Sequence, residues 1–322
     1  MTDPTTETSR PAQRDLILIL GLLTCLGPLN IDMYLPGFPS IGHDFHAGET
    51  AVQFSLTSTL IGLALGQLMV GPFSDSRGRK GPLLAAMALF ALSSLFCAIS
   101  SSITAFIVAR FLQGLTASAG LVLSRAVVRD VFNGPELARF FSRLMIINAV
   151  APMVVPMMGV AILALPSATW RTMFWFLTGF GVVALGLVGG RLNETLELHR
   201  RLPNSARSTL ETFHSLLTDR EFIGHALTVG LIHGGSFAYV AGTPFVYQDI
   251  YGVSPQTFSL LFGINGLALV GGSWLIGRAG TMARTNTMLR ASVICITTAA
   301  ALITLIATLK GPLFLLVAAS FL

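Results

Sequence analysis

GPFSDSRGRKGPLL, Gly71 to Leu84, sets one carboxylate (Asp75) and three cations (Arg77, Arg79 and Lys80) between two long runs that carry no charge. No Asp, Glu, Lys or Arg occurs between Glu49 and Asp75, or between Lys80 and Arg110. Each run is long enough for the roughly 20 apolar residues with which a helix crosses a bilayer. Similar runs lie outward of this pair, from Arg143 to Arg171, Arg171 to Arg191, Glu221 to Asp249, Asp249 to Arg278 and Arg290 to Lys310. Period-two alternation is absent, which argues against a membrane barrel. In hydrocarbon every backbone amide must be satisfied within its own segment, so these runs read as helices. Composition agrees: 53% of the 322 residues are hydrophobic and 11% charged, where a soluble domain carries about a quarter charged. The expected fold is an all-α integral membrane bundle.

Spans are expected near Leu16–Leu35, Ala51–Val70, Gly81–Ile99, Ile103–Val122, Leu144–Leu165, Met173–Gly190, Phe222–Val246, Phe258–Gly277 and Met288–Leu309, with a tenth beginning at Gly311. With a cytoplasmic N-terminus, 17 of the 20 Lys and Arg fall in cytoplasmic segments; Arg171 and Lys310 fall opposite and Arg110 lies in a span. That asymmetry is the positive-inside rule and sets the orientation. The net charge of +5 therefore reflects topology, and no nucleic-acid partner is expected. The first run is not a cleavable signal, because Asp32 interrupts its end and no small-residue cleavage site follows. Cys25, Cys97 and Cys295 sit in separate spans without metal-ligand spacing and read as small hydrophobes.

Residues 1–15 are polar and read as a disordered cytoplasmic N-terminus. Residues 16–192 make a six-helix bundle, 193–221 a cytoplasmic linker with a short interfacial helix near Ser208–Leu217, and 222–322 a partial second bundle. A weak repeat supports the division: Phe54-Ser55-Leu56 recurs as Phe258-Ser259-Leu260, and Gly62-Leu63-Ala64-Leu65 as Gly266-Leu267-Ala268-Leu269, at an offset of 204. Two parallel six-helix halves need on the order of 400 residues, so the chain is expected to stop within the tenth of twelve helices.

Within the opening loop, Gly71 and Gly78 allow turn geometry. Asp75 is placed to cap a helix or pair with Arg79, and Arg77 and Lys80 to meet anionic headgroups. The spacing G-x-x-x-D-x-x-G-R-K resembles the second-to-third-helix loop of the major facilitator superfamily, at the matching place in the helix count. Arg110-Phe111-Leu112-Gln113-Gly114 resembles the R-x-x-Q-G element of that superfamily's drug/proton antiporters. Ala151-Pro152 with Pro156 and Gly159 is similar to their Pro/Gly-rich antiporter motif, with Ala151 and Val160 in place of glycines. Asp32-Met33-Tyr34-Leu35-Pro36 and Arg129-Asp130 resemble the Bcr/CflA type of bacterial drug-resistance transporter. The resemblance covers nearly the whole chain. It implies export of varied small molecules in exchange for protons, in the bacterial inner membrane, by a monomer without cofactor or metal, whose other partners are membrane lipids. Thr24 and Cys25 stand where some relatives carry a second carboxylate, which argues against multi-proton exchange and strong preference for cationic drugs.

The residues themselves point to similar positions. A charge within a span costs at least about 2.5–3.5 kcal/mol on insertion scales, and marks a functional candidate. Asp32 and Arg110 qualify: Asp32 as proton site or as a headgroup-level carboxylate, Arg110 as its electrostatic partner or as an organiser of Gln113 and nearby backbone. Asn30, Tyr34, Gln67, Gln113 and Asn148 are candidates to line a cavity, with helix–helix hydrogen bonding as the alternative for the amides. His225 and His233, without carboxylate partners, read as packed. Pro152, Pro156 and Gly159 should bend the fifth helix, as a hinge or for close packing. A proton symporter or metabolite exporter on the same fold is the nearest rival. A membrane-embedded enzyme or receptor lacks support, since no span carries a nucleophile with a base or a metal pair.

Overall fold

The computed structural model describes residues 10–201, 206–279 and 282–321. The order is α1 (Arg10–Asp32), a 3-10 turn (Leu35–Gly37), α2 (Phe38–Asp44), α3 (Glu49–Arg77), α4 (Lys80–Ile99), α5 (Ile103–Val131), α6 (Gly134–Leu163) and α7 (Trp170–Arg191). A second 3-10 turn (Leu198–Arg200) leads to α8 (Ala206–Thr218) and α9 (Arg220–Phe245), which runs on as a π-helical turn (Val246–Ile250). α10 (Pro255–Ala279), α11 (Met282–Thr308) and α12 (Leu313–Phe321) follow. There is no strand among the described residues. Each of the nine expected complete spans falls on a long helix, with ends shifted by a few residues. Among the described residues six helices are long and apolar enough to cross a membrane, or seven if the two segments of α6 count as one span.

Local chemistry sets several boundaries. The hydroxyl of Ser102 accepts from the N–H of Ala105 to start α5, and Asp219 accepts from the N–H groups of Glu221 and Phe222 to start α9. Two boundaries differ from expectation. α1 begins at Arg10 instead of after residue 15: Pro11 lies in the first turn, where its missing N–H is tolerated, and Arg191 holds Asp15 at 2.9 Å. Residues 1–9 lie outside the described residues. In the linker, α8 extends past the expected Ser208–Leu217 at both ends, and residues 202–205 lie outside the description.

α3 packs on α5, α4 on α7, and α1 on α5 and α6, closing the first half. The main contact between halves is α10 against α6. α6 is bent by 41° between Gly134–Asn148 and Val150–Leu163. The bend lies one turn before Pro152, whose ring crowds the carbonyl four residues back, that of Asn148. Beyond the bend α6 crosses the end of α1 closely: a Cβ on Gly159 would stand 2.0 Å from the main-chain oxygen of Met33.

Two ends of the bundle can be told apart. The basic end holds Arg77, Arg79, Lys80, Arg129 and Arg191 at or beside the ends of α3, α4, α5 and α7. At the far end Tyr34, Phe38, Phe106, Trp170 and Phe174 form a buried aromatic cluster.

Candidate functional site

On α5, Arg110 and Gln113 are three residues apart and share a face. Arg110 is fully buried. Its Nη1 donates to Asn30 Oδ1 at 2.6 Å and to Gln113 Oε1, and its Nη2 donates to the main-chain oxygen of Asn30 at 2.6 Å. That oxygen belongs to the last turn of α1, where carbonyls lack an intrahelical donor, and a cation is favourable at such an end. The guanidinium lies 4.1 Å from the Tyr34 ring centre and 5.5 Å from that of Phe174. Cation–π attraction and charge-assisted hydrogen bonds at Nη1 and Nη2 thus replace water around a charge that has no carboxylate in contact among the described residues, while Nε has no partner there. Gln113 also donates to Ser94 at 2.7 Å and accepts from the Cys97 thiol at 3.7 Å, joining α4 to the cluster. The Tyr34 hydroxyl lies 3.3 Å from that of Ser55 on α3.

Asp32 is 8% exposed, and its carboxylate makes no hydrogen bond or ion pair among the described residues. The expected pairing of Asp32 with Arg110 is therefore not made in this structure. Two residues along a helix point about 200° apart, so when Asn30 faces Arg110, Asp32 faces away from it. Three of the residues expected to line a cavity, or in the case of the amides to bond between helices, lie inside the first half. Asn30, Tyr34 and Gln113 are buried and held by polar partners inside the first half. Asn148 is half-buried and donates to Leu144 O of its own helix, while Gln67 is exposed. His225 and His233 are not packed: both are exposed, and each ring bonds a carbonyl one turn back.

At the basic end the loop motif closes into a polar lock. Arg79 is 7% exposed and donates to Asp75 at 2.5 Å, to Ser74 at 2.6 Å and to Asp130, at the end of α5, at 2.8 Å. Burial works against its charge, but Asp130 and Asp75 outweigh this and hold the guanidinium pKa above its ordinary value. Glu194, which sequence reasoning missed, completes the lock. Its carboxylate accepts from the N–H groups of Arg79 (2.7 Å) and Lys80 (3.2 Å), capping α4, and from those of Thr195 and Leu196, both at 3.0 Å. Partial burial would raise the Glu194 carboxyl, yet these four N–H groups prevail and hold it below the usual value. Gly78 makes room: its φ is +95°, and a Cβ there would stand 2.4 Å from Glu194 Oε2. Lys80 Nζ donates to Gly189 O near the end of α7, and Arg77 lies over the Phe73 ring at 4.4 Å instead of projecting freely.

At the far end Asp44 accepts from Trp170 Nε1 at 3.1 Å and from Arg171 at 3.0 Å, beside a cavity of about 500 Å³ that His43 and Gln248 also line. Among the described residues no group of three or more His, Cys, Asp or Glu is arranged to hold a metal ion.

The family description Major Facilitator Superfamily matches residues 20–322. The chain belongs to that superfamily. It is a multi-pass membrane transporter and not an enzyme. It is 59% identical over 306 residues to the uncharacterized MFS-type transporter YdgK of Bacillus subtilis, covering 95% of this chain and 76% of the relative. It is 34% identical over 259 residues to a bicyclomycin resistance protein homolog of Haemophilus influenzae, covering 80% of this chain and 65% of the relative. It is 29% identical over 243 residues to the multidrug resistance protein MdtL of Escherichia coli, covering 76% and 61%. Among solved structures, a bacterial homolog of the human lysosomal transporter Spinster, inward-facing, superposes with a TM-score of 0.75 at 13% identity, covering 97% of this chain and 73% of that one. A D-xylose-proton symporter superposes with a TM-score of 0.69 at 17% identity, covering 96% and 78%. These two likenesses concern the fold.

Proposed function

We propose that the protein is a proton-coupled antiporter that exports small drug-like molecules across the bacterial inner membrane by alternating access, as a monomer with a cytoplasmic N-terminus. The observation that carries this reading is Asp32, a buried carboxyl at the end of a membrane helix with no hydrogen bond or ion pair among the described residues. Carboxyls held within spans mark proton pathways in pumps and transporters. One that no cation holds in this conformation is free to take up a proton here and to meet a cation in another. Arg110 is the candidate cation. It is anchored on Asn30, two residues before Asp32, so movement of α1 against α5 changes the field at Asp32. The names of the Haemophilus and Escherichia relatives, a bicyclomycin resistance homolog and a multidrug resistance protein, support drug-like cargo. The bent α6 pressed against α10 is the hinge across which the halves rock, and the Arg79 lock ties the first half together as they do.

Everted membrane vesicles loaded with a pH-sensitive dye test the reading. Asp32→Asn is expected to insert normally and to lose substrate-induced proton release. Proton release equal to that of the unaltered protein refutes Asp32 as the proton site.

A further inference from the structure

At the far end the two halves close on each other. The Phe38 ring of α2 lies 5.7 Å from that of Phe245 at the end of α9, and Ser259 on α10 donates to Pro156 O on α6 at 3.4 Å. Beside Phe245 a cavity of about 400 Å³ takes its walls from both halves. His43 near the end of α2, His46 just after it and Glu49 at the start of α3 line it from the first half; Asp249 in the π-helical turn lines it from the second. None of these four side chains is in an ion pair among the described residues. Asp44, next to His43, is already held by Trp170 and Arg171 of α7, which leaves Glu49 and Asp249 as the carboxylates of the cavity. The two imidazoles lie 26° from parallel, with ring centres 6.4 Å apart. His46 holds a φ of +51°, and the N–H of Ala47 bonds Gly42 O at 2.9 Å to close α2. A glycine would take that left-handed position without strain, so the imidazole is carried there at a cost. Such a cost at a cavity wall points to a use for the ring.

We propose that His43 and His46 form a proton-operated clasp between the two halves at the outer mouth. Imidazole is the side chain whose charge ordinarily changes between about pH 5 and 8. With both rings neutral, Glu49 and Asp249 are like charges from different halves at one cavity, and their repulsion favours parting of the halves. With both rings protonated, two imidazolium charges outweigh Glu49 on the first half, and Asp249 is drawn toward them. Acid outside therefore holds the outer end shut, and a neutral or alkaline exterior releases it. The four side chains are exposed, so salt screens the effect. The clasp tilts an equilibrium between two packings and does not hold the fold itself. Closure in acid suits a carrier that takes up protons outside and then turns inward. The clasp rests on the alternating-access part of the reading above, and not on Asp32 as the proton site.

Spin labels on Thr50→Cys of α3 and Gln256→Cys of α10, exposed positions on the two halves at this end, test it. The purified protein lacks Cys25, Cys97 and Cys295 and sits in lipid nanodiscs, and pulsed electron resonance counts the populations with short and long label separation. The measurement is made at about pH 5.5 and about pH 8, where imidazole is mostly charged and mostly neutral. The ratio of short to long should fall about tenfold from the lower pH to the higher, within the usual range of conformational coupling. Salt at about 1 M should shrink that change. His43→Gln combined with His46→Gln should remove most of it, and Asp249→Asn should reduce it severalfold. Asp32→Asn should keep most of it. Should the double histidine variant not fold, Asp249→Asn decides. The proposal is overturned if the ratio in the otherwise unaltered protein does not change with pH, or if the histidine and Asp249 variants change as steeply as it does. It is also overturned if Asp32→Asn alone flattens the response, which would place the switch at that carboxyl. Proton release by Asp32→Asn in the vesicle assay would refute the proton site and leave these ratios untouched.

Discussion

Arg110 grips Asn30 twice, through the side-chain oxygen and through the main-chain oxygen, each at 2.6 Å. One guanidinium thereby caps the end of α1 and fixes the rotation of that helix against α5. Asn30→Ala removes the side-chain acceptor while Arg110 remains fully buried. A hydrogen bond to a charged group contributes about 1.5–3 kcal/mol, so the variant should lose about 2 kcal/mol of stability. Thermal unfolding in detergent should register this as a lower melting temperature. An unchanged value would mean that Asn30 is not what holds the guanidinium.

The crossing of α6 over α1 gives a second prediction. A methyl group on Gly159 would overlap the main-chain oxygen of Met33, a backbone atom that cannot rotate away. Gly159→Ala should push the two helices apart at a cost of about 1–3 kcal/mol, the usual range for overpacking. Because Asp32 is next to Met33, the variant should also slow transport. Pro152→Ala, which relieves the crowding at the bend, should instead leave the α1 contact intact and stabilise α6. Melting temperatures that fall equally in both variants would contradict this assignment of roles.

How far the sequence reaches depends on the range of the interaction. The spans were legible because hydrocarbon tolerates neither charge nor unpaired backbone, so runs such as Glu49 to Asp75 admit one reading. Asp75 with Arg79 was legible for a similar reason: four residues apart, they have only local geometry to satisfy. Glu194 was not, since it reaches Arg79 across 115 positions and no local pattern marks a carboxylate that caps a distant helix. Asn30 in place of Asp32 as the partner of Arg110 turns on the rotation of α1, which composition does not encode.

Glu194 makes a pH-dependent contribution whose sign follows from its lowered pKa. A carboxyl held below its ordinary 4.5 stabilises the fold when ionised in both states, above that value. The stabilisation is lost as pH falls through the folded-state pKa. Glu194→Gln should therefore destabilise the protein at pH 7 by about 1 kcal/mol, the upper scale for a carboxylate at a partly exposed helix N-terminus. The gap between the two proteins should narrow below pH 4.5 and close at still lower pH. A gap that stays constant with pH would place the effect in packing and not in charge.

Orientation is the remaining prediction, and it governs how every loop is interpreted. The basic end carries the Arg79 lock, the 3-10 turn at Leu198–Arg200 and the start of α9 at Arg220, while Gly48 lies in the connection that opposes it. Cationic loops are retained on the cytoplasmic side during insertion, so the basic end should face inward and Gly48 outward. Cysteines introduced singly at Gly48 and at Ser205, in a background lacking Cys25, Cys97 and Cys295, report this directly. In intact cells a membrane-impermeant maleimide should label Gly48→Cys and spare Ser205→Cys, and lysis should expose the second site. Ser205→Cys labelled in intact cells, with Gly48→Cys protected, would invert the topology. The Arg79 lock would then face the outside, and the cytoplasmic N-terminus on which the antiport scheme depends would be lost with it.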